Sequence, residues 1–261
     1  MQKYLLIEMM PLFIKNFQYW NYLALNEIKQ KYRRSILGTL WISLATTISI
    51  LGIGPIYSVL FNTRLSDYFL IVSIGLVSWN YISAIIGESC GVFITNSGMI
   101  KDTSLPIETY CYVVVWRNVL LLLQNLIILY LIFNIFGFRI FPNIKLVLVI
   151  IVSTFFLSNL GILLSLVCTR FRDITQIVDA VMKLLFFMTP ILWVVKDTRL
   201  EESLLVKLNI FYYVVDLFRN AFINDSISLN HLSIVVSFSL FFAFFKYMAL
   251  KKYKNRVVYW L

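Results

Sequence analysis

The sequence predicts an all-α membrane protein with six transmembrane helices, an N-terminal amphipathic helix, and short re-entrant or surface helices on the outer face between the fifth and sixth spans. Of the 261 residues, 60% are apolar and 14% are charged, whereas soluble domains have about 45–50% apolar and about 25% charged residues. Six apolar runs are each long enough for the ~20 residues of a bilayer crossing. A basic cluster, Lys31 to Arg34, directly precedes the first run.

Residues 12–30 are too polar to cross a membrane, but they carry a helical period. Apolar and aromatic side chains recur on one face, at Phe13, Phe17, Trp20, Ala24 and Ile28. This pattern predicts an amphipathic helix lying in the membrane surface, and Pro11 suits its first turn. The alternative is an ordinary helix packed in the protein core.

The six apolar runs follow in order. Each is interpreted as a helix, because lipid offers no hydrogen-bond partners to an exposed backbone. The longest inner loop is 91–106, and the largest outer segment is 196–230, with two short helical stretches at 200–208 and 211–222. The predicted spans are 36–61, 68–89, 110–136, 144–168, 177–195 and 231–250.

The positive charges predict the orientation. With the N-terminus inside, fourteen Lys and Arg residues lie in inner loops and span ends, and seven lie outside. Basic residues prefer the cytoplasmic side, so both termini are expected in the cytoplasm. Arg117 and Lys183 are left within spans.

Composition also excludes several classes of protein. The net charge of +10 fits cytoplasmic loops beside anionic lipids better than nucleic-acid binding, because no long polar domain is present. Cys90, Cys111 and Cys168 show no CxxC spacing, so neither a metal site nor a disulfide is expected. The single histidine, His231, is interpreted as interfacial rather than catalytic, and no Walker motif occurs.

Polar residues inside the predicted spans are candidates for function. Ser43, Thr46 and Thr47 share one face of the first span, where they either pack against another helix or line a pore. Arg117 needs a carboxylate or water, and the two candidate carboxylates at the inner span ends are Glu88 and Asp179.

Asp179 and Lys183 are also spaced to pair with each other. The residues Glu88, Arg117, Asp179 and Lys183 are expected to form a structural ion-pair cluster. A proton relay is the alternative, and it predicts pH-coupled transport that is lost in Glu88→Gln.

Aromatic residues are dense, and some of them could stack on sugar rings in a channel. The others are expected to face lipid or the interface. The candidates lie in the first and fifth spans: Trp41, Tyr57, Phe61, Phe186, Phe187 and Trp193.

An acidic residue, Glu27, precedes a stretch from Tyr32 to Trp41 that reads Tyr-Arg-Arg-Ser-Ile-Leu-Gly-Thr-Leu-Trp. It resembles the pattern Tyr-Arg-x-Ser-x-Leu-Gly-x-x-Trp in the membrane permease of ABC-type polysaccharide exporters, which export O-antigen, capsule and teichoic acid. The chain departs from that family by lacking a proline near Ala45 and by having Ile210 after Asn209. Further matches cover most of the chain: Gly75-Leu76, Trp79, Asn96, Ile100-Lys101, Leu105-Pro106, Arg172-Asp173, Pro190-Ile191, Asn209 and Arg219.

The resemblance implies a homodimer in the bacterial inner membrane that works with two copies of a separate cytoplasmic ATPase. ATP and Mg²⁺ would bind that partner, and this chain would be a transport subunit with no cofactor or catalytic residue. The segment 12–30 would be an interface helix at the ATPase, and 196–230 would form an outer gate. The loop 91–106 would hold the coupling helix, with ATPase contacts at Asn96, Lys101 and Asp102.

By the same resemblance, the channel would form between protomers from the first and fifth spans. The substrate would be a polysaccharide, with O-antigen as the first expectation, carried on undecaprenyl pyrophosphate. Arginine suits forked phosphate contacts, so we expect the lipid pyrophosphate to enter beside the inner arginines. The alternative is that these arginines only fix the orientation of the chain by the positive-inside rule. The four residues are Arg33, Arg34, Arg170 and Arg172.

Three other functions stay open at this point. A permease of the same fold could export drugs or small lipids. A membrane enzyme acting on lipid-linked sugar would need catalytic acids or long polar loops, which the sequence lacks. A proton-coupled carrier would work without a partner ATPase.

Overall fold

The computed structural model describes residues 2–61, 64–103, 105–138, 140, 143–193 and 204–261. The described chain is helical and contains no strand. A C-terminal 3₁₀ helix covers Lys254–Tyr259. The α-helices are α1 (Gln2–Lys31), α2 (Leu40–Leu60), α3 (Leu65–Thr95), α4 (Ser97–Asp102), α5 (Glu108–Ile135), α6 (Ile144–Arg170), α7 (Ile174–Met188), α8 (Leu204–Lys207), α9 (Ile210–Ile223) and α10 (Leu229–Tyr253).

Five helices of the described chain are long and apolar enough to cross a membrane, namely α2, α3, α5, α6 and, together with the 3₁₀ helix, α10. The fifth predicted span, 177–195, is not among them. Its helix α7 has 15 residues, or about 22 Å of length, which is less than the ~30 Å hydrocarbon core. An all-helical protein with five candidate spans is therefore what the structure shows, and a sixth crossing stays a prediction.

Helix α9 runs from the middle of the helical bundle to one end of it. Near its start, Phe211 packs edge-on against Trp79 and Phe156, in the middle of α3 and α6. Near its end, Phe222 packs against Tyr130 of α5. We call this end of the bundle outer and the end that carries α4 inner, following the predicted orientation. Because α7 starts at the inner end, α7 and α9 together cover the length of one span.

Helix α3 lies at the centre of the bundle, with 72% of its most apolar window buried, and it contacts α2, α5, α6, α7 and α9. Small residues bring it close to α6. The Ser165 hydroxyl donates to the Ser89 carbonyl at 2.8 Å, and a Cβ on Gly161 would lie 2.7 Å from the Ser89 hydroxyl oxygen. Close approach through small residues is typical of helix packing in membranes.

Helix α1 begins at Gln2, so Pro11 lies inside the helix rather than in its first turn. Its apolar face packs against α5. Trp20 and Ala24 are buried, and the Trp20 ring stacks on Tyr112 at 4.7 Å. Asn21 accepts a hydrogen bond of 3.0 Å from the Trp116 indole. The apolar face thus makes a contact within the protein, and a position of α1 at the membrane surface stays a prediction.

The 3₁₀ helix folds back onto the inner end of the bundle. Val257 is fully buried in a cluster with Ile100 of α4 and Leu166 of α6. The Arg170 guanidinium lies 5.5 Å from the centre of the Trp260 ring. These contacts hold the short helix α4 against the ends of α6 and α10.

Candidate functional site

Arg117 joins three helices at the inner end of the bundle. Its guanidinium binds Glu27 of α1 and Glu88 of α3, the latter at 2.6 Å. The Asn118 side-chain amide donates to the same Glu88 oxygen at 2.6 Å. A guanidinium in a membrane helix requires such partners. The structure therefore ties the end of α1 to the core through α5.

The predicted ion-pair cluster is only partly brought together. Glu88 contacts Arg117 as expected, but Asp179 lies on α7, and within the described chain it pairs with neither Arg117 nor Lys183 at 4.0 Å or less. The second partner of Arg117 is Glu27, which sequence reasoning noticed only as part of a motif. Its spacing of 90 residues from Arg117 gave no local signal of the contact.

The polar face of α2 points toward α3 and α5. The Ser43 hydroxyl donates to the Asn125 side-chain carbonyl at 2.5 Å, and Thr46 accepts a hydrogen bond of 3.3 Å from the Asn80 amide. Thr47 is half-buried and donates to the Ser43 carbonyl. Ser43 and Thr46 are buried within one chain, which fits the helix-packing role, and a role in lining a channel stays a prediction.

The candidate aromatic residues are distributed over two places. At the outer end of α2, Tyr57 and Phe61 lie against the Tyr68 ring, with centroid distances of 6.5 and 6.2 Å. On α7, Phe186 packs edge-on against Trp79 at 5.9 Å. Three others are accessible in the single chain: Trp41 and Phe187 are exposed, and Trp193 is half-buried.

Helix α7 carries polar side chains on an uncovered face. None of its residues is buried, and Gln176, Asp179 and Lys183 are exposed at spacings of three and four, which place them on one side of a helix. Charged side chains rarely face lipid and almost always face a protein interior or a water-filled cavity. This face of α7 is therefore suited to water or to a second protein surface.

A polar hub surrounds the chain reversal after α7. Arg219 of α9 is buried, and its guanidinium donates to the Pro190 carbonyl at 2.7 Å and reaches the Ile191 carbonyl at 3.4 Å. The Asn209 amide donates to the Thr189 hydroxyl at 2.8 Å. Both carbonyls lie directly after the end of α7, where a cation is electrostatically favourable. This hub fixes the junction between α7 and α9.

Helix α3 completes the hub. The Tyr68 hydroxyl donates to the Leu192 carbonyl at 2.5 Å, and Gly75 faces the Ile191 carbonyl so closely that a Cβ would lie 2.6 Å from its oxygen. Five residues that carry the family resemblance come together in this hub, although the sequence did not predict their contacts. They are Gly75, Pro190, Ile191, Asn209 and Arg219.

The basic residues expected to receive a phosphate lie at the inner end. Arg33 and Arg34 are exposed in the turn between α1 and α2. In that turn, Gly38 has a φ of +56°, which favours glycine, and its amide donates to the Ser35 hydroxyl. Arg170 and Arg172 are exposed at the start of the turn before α7.

The predicted coupling segment contains the six-residue helix α4. Asn96 ends α3, and its side-chain amide donates to the Val92 carbonyl at 2.9 Å. Lys101 and Asp102 are exposed, while Ile100 is buried. The short helix thus presents its charged residues outward. Among the described residues, no group of His, Cys, Asp and Glu could hold a metal ion.

Residues 7–223 match the ABC-2 type transporter family. An O-antigen export system permease protein RfbA of Myxococcus xanthus is 25% identical over 192 residues, which cover 72% of this chain and 73% of that protein. Two proteins of the same name from Klebsiella pneumoniae are 22% and 23% identical over 213 and 214 residues, and each match covers 80% of this chain and 82% of the relative.

Proposed function

Because the chain belongs to the ABC-2 type transporter family, we propose that it is the channel subunit of an ATP-driven exporter of undecaprenyl-pyrophosphate-linked polysaccharide, with O-antigen as the polymer. In this proposal two copies form the channel in the bacterial inner membrane, with both termini cytoplasmic. Two copies of a separate ATPase bind ATP and Mg²⁺ and drive export. The similar proteins named as O-antigen export permeases support this choice of substrate.

The observation that carries the proposal is the uncovered polar face of α7. Within the described part of a single chain, no helix covers Gln176, Asp179 and Lys183. Trp41 of α2 and Phe187 of α7 are exposed as well. A second copy would enclose these polar and aromatic groups in a water-filled path, which suits a hydroxyl-rich polymer better than lipid does.

The inner end of the bundle supports a link to an ATPase. Helix α4 exposes Lys101 and Asp102, and its buried residue Ile100 anchors it to α6 and the C-terminal 3₁₀ helix. Helix α1 is fixed to α5 through Arg117 and Glu27. A partner that moves α4 or α1 would therefore also move the membrane-spanning helices to which they are fixed.

Arginine side chains at the inner surface would receive the pyrophosphate. We expect Arg34→Ala to lower polymer export by about tenfold, the loss of one charge-assisted hydrogen-bond pair, while the amount of inserted protein stays the same. Export is measured as surface polymer in a strain that lacks the native gene. Equal losses of export and insertion would assign Arg34 to positive-inside anchoring instead.

The test of the function itself is complementation together with the partner ATPase. We expect polymer to reach the cell surface only when both subunits are produced and the ATPase can hydrolyse ATP. Export with an inactive ATPase would indicate a carrier that works alone.

Export of drugs or small lipids by the same fold is a second candidate, because an apolar cleft of about 400 Å³ lies between α2, α3 and α5 toward the outer end. Thr47, Ile50, Phe69 and Phe133 are among its lining residues. Resistance to apolar drugs without polymer export would favour this candidate.

A further inference from the structure

A polar groove of about 390 Å³ lies within one chain, between α2, α3 and α5 in the inner half of the bundle. Its volume falls in the range of about 300–1,000 Å³ that is common for small-ligand sites. Lys31 and Tyr32 lie at its inner mouth, directly before Arg33 and Arg34. Among its other lining residues are Thr46, Ser49, Asn80, Glu88, Asn118 and Asn125.

Three amide side chains along this groove have unused hydrogen-bonding atoms. Asn125 is 6% exposed, and its Oδ1 accepts from Ser43, but its Nδ2 donates to no described residue. The Nδ2 atoms of Asn80 and Asn118 donate, yet their Oδ1 atoms accept from no described residue. Asn80 is exposed, and none of the three amides is among the fully buried side-chain atoms without a partner. Their free donor and two acceptors are therefore open to a polar ligand, which suits them better than lipid does.

The charges of the lining argue for a neutral ligand. The carboxylate of Glu88 is already bound by Arg117 and Asn118, and Lys31 supplies a positive charge at the mouth. The groove therefore has no excess of cations for a phosphate, in contrast to the arginines that follow Tyr32. Tyr32 and Tyr81 also line the groove. The Tyr81 hydroxyl bonds to Thr154 and its ring packs edge-on against Phe218, so Tyr32 at the mouth is the aromatic group available to a sugar ring.

We propose that this groove binds the sugar residues that directly adjoin the pyrophosphate of the lipid-linked substrate. The inference rests on the proposed export of such a substrate. Arg33 and Arg34 follow the mouth residues in sequence, so a pyrophosphate held there would place its attached sugar at the groove. Each protomer then has its own sugar site, separate from the path between protomers.

The experiment measures protection of a cysteine in the groove. Ser49 is exposed and lines the groove, whereas Cys90, Cys111 and Cys168 are buried, so Ser49→Cys supplies the accessible thiol. The complex with its ATPase is labelled with a maleimide in nanodiscs. The probes are undecaprenyl pyrophosphate carrying one N-acetylglucosamine, undecaprenyl pyrophosphate alone, and glucosyl diacylglycerol.

We expect the sugar-bearing pyrophosphate lipid to slow labelling about tenfold at nine-tenths occupancy, and the other two lipids to leave the rate unchanged. Equal slowing by undecaprenyl pyrophosphate alone would overturn the proposal in favour of a site for pyrophosphate or the prenyl chain. Equal slowing by glucosyl diacylglycerol would indicate a general glycolipid site. Unchanged labelling with every probe would mean that the groove binds no sugar.

Two groove variants are combined with Ser49→Cys to test the contacts. Asn80→Leu and Asn125→Leu should each weaken protection about fivefold, the effect of one lost hydrogen bond. The matched control is Asn134→Leu, also on α5 but bonded to the Tyr130 and Ile140 carbonyls at its far end, which should leave protection unchanged. Equal weakening in all three variants would overturn the assignment.

The proposed function fails independently of this site. Polymer export is measured in a strain producing the chain and its ATPase. Protection by the sugar-bearing lipid without any polymer export would refute the exporter and keep the sugar site. Polymer export without protection would refute the sugar site and keep the exporter.

Discussion

At the residue scale, the Ile191 carbonyl lies at a closely packed point of the molecule. Gly75 leaves room for it on one side, and the Arg219 guanidinium approaches it on the other at 3.4 Å. The reversal after α7 leaves carbonyl groups without helical partners. A glycine that permits close approach and an arginine that donates hydrogen bonds together satisfy this buried backbone.

Gly75→Ala tests the close approach. The added Cβ would lie 2.6 Å from the Ile191 oxygen, and because a backbone atom cannot move aside easily, we expect the free energy of unfolding to fall by about 1–3 kcal/mol. Thermal unfolding in detergent measures the change. Gly87→Ala is the control on the same helix, since nothing lies within 4 Å of its added Cβ. Equal stability of the two variants would refute the contact.

Arg117→Gln tests the three-helix ion cluster. Removal of the guanidinium leaves Glu27 and Glu88 facing each other without a cation, and we expect a loss of about 3 kcal/mol. This is the lower end of the range for buried pairs, because both glutamate side chains are 35% exposed. Urea unfolding monitored by tryptophan fluorescence measures it.

The control for Arg117→Gln is Lys145→Gln. Lys145 pairs with Asp225 on the exposed outer surface at 3.2 Å, and such pairs contribute less than about 1 kcal/mol. A loss in Arg117→Gln no larger than in Lys145→Gln would mean that the inner cluster contributes little to stability.

At the element scale, two short helices depend on their neighbours. Helix α4 has six residues, too few to be stable alone, and it is held by the C-terminal 3₁₀ helix. Helix α7 is too short to cross the bilayer, and the hub around Pro190 joins it to α9. Their positions are set by side-chain contacts with other elements rather than by helix propensity.

Val257→Ser tests the support of α4. Val257 is fully buried against α4, so the substitution should loosen that helix and lower polymer export at least about fivefold, the effect of losing about 1 kcal/mol of packing. Val258→Ser is the control, because Val258 is 40% exposed. Export that is unchanged in Val257→Ser would show that the 3₁₀ helix has no role in coupling.

At the scale of the whole molecule, the described residues of a single chain leave one side of the bundle uncovered. The polar face of α7 and the aromatic side chains of α2 and α7 lie on its surface. Charged groups in such a position need water or a protein partner. Closed two-fold dimers are the commonest way in which identical chains cover a surface.

Gln176→Cys tests whether a second copy covers α7. We expect a short bismaleimide to join two copies of this variant in the membrane, seen as a band of twice the mass on a denaturing gel. Background should be low, because Cys90, Cys111 and Cys168 are buried. Phe241→Cys, at an exposed position on α10, should stay monomeric. Equal crosslinking of both variants would show that α7 is not at a specific interface.

The sequence by itself determined the membrane class, five of the spans and the family. These conclusions depend on residues that are close together in the chain. The residues are the long apolar runs, the basic clusters and the pattern from Tyr32 to Trp41. The same local information predicted one span over 177–195. Pro190 is a local signal that a helix ends near this point, but the apolar residues on both sides of it favoured one continuous span and hid the end of α7 at Met188.

Only the tertiary structure decided which distant residues meet. Arg117 could have paired with any carboxylate at the inner end, and the packing of α1 on α5 selected Glu27 instead of Asp179. Likewise, the Asn125 side-chain carbonyl accepts the hydrogen bond from Ser43, and the Asn125 side-chain amide remains available to the groove. The physical reason is that a buried polar group must find a partner. Which partner it finds depends on which helices pack together, and the spacing of residues along the chain does not encode that packing.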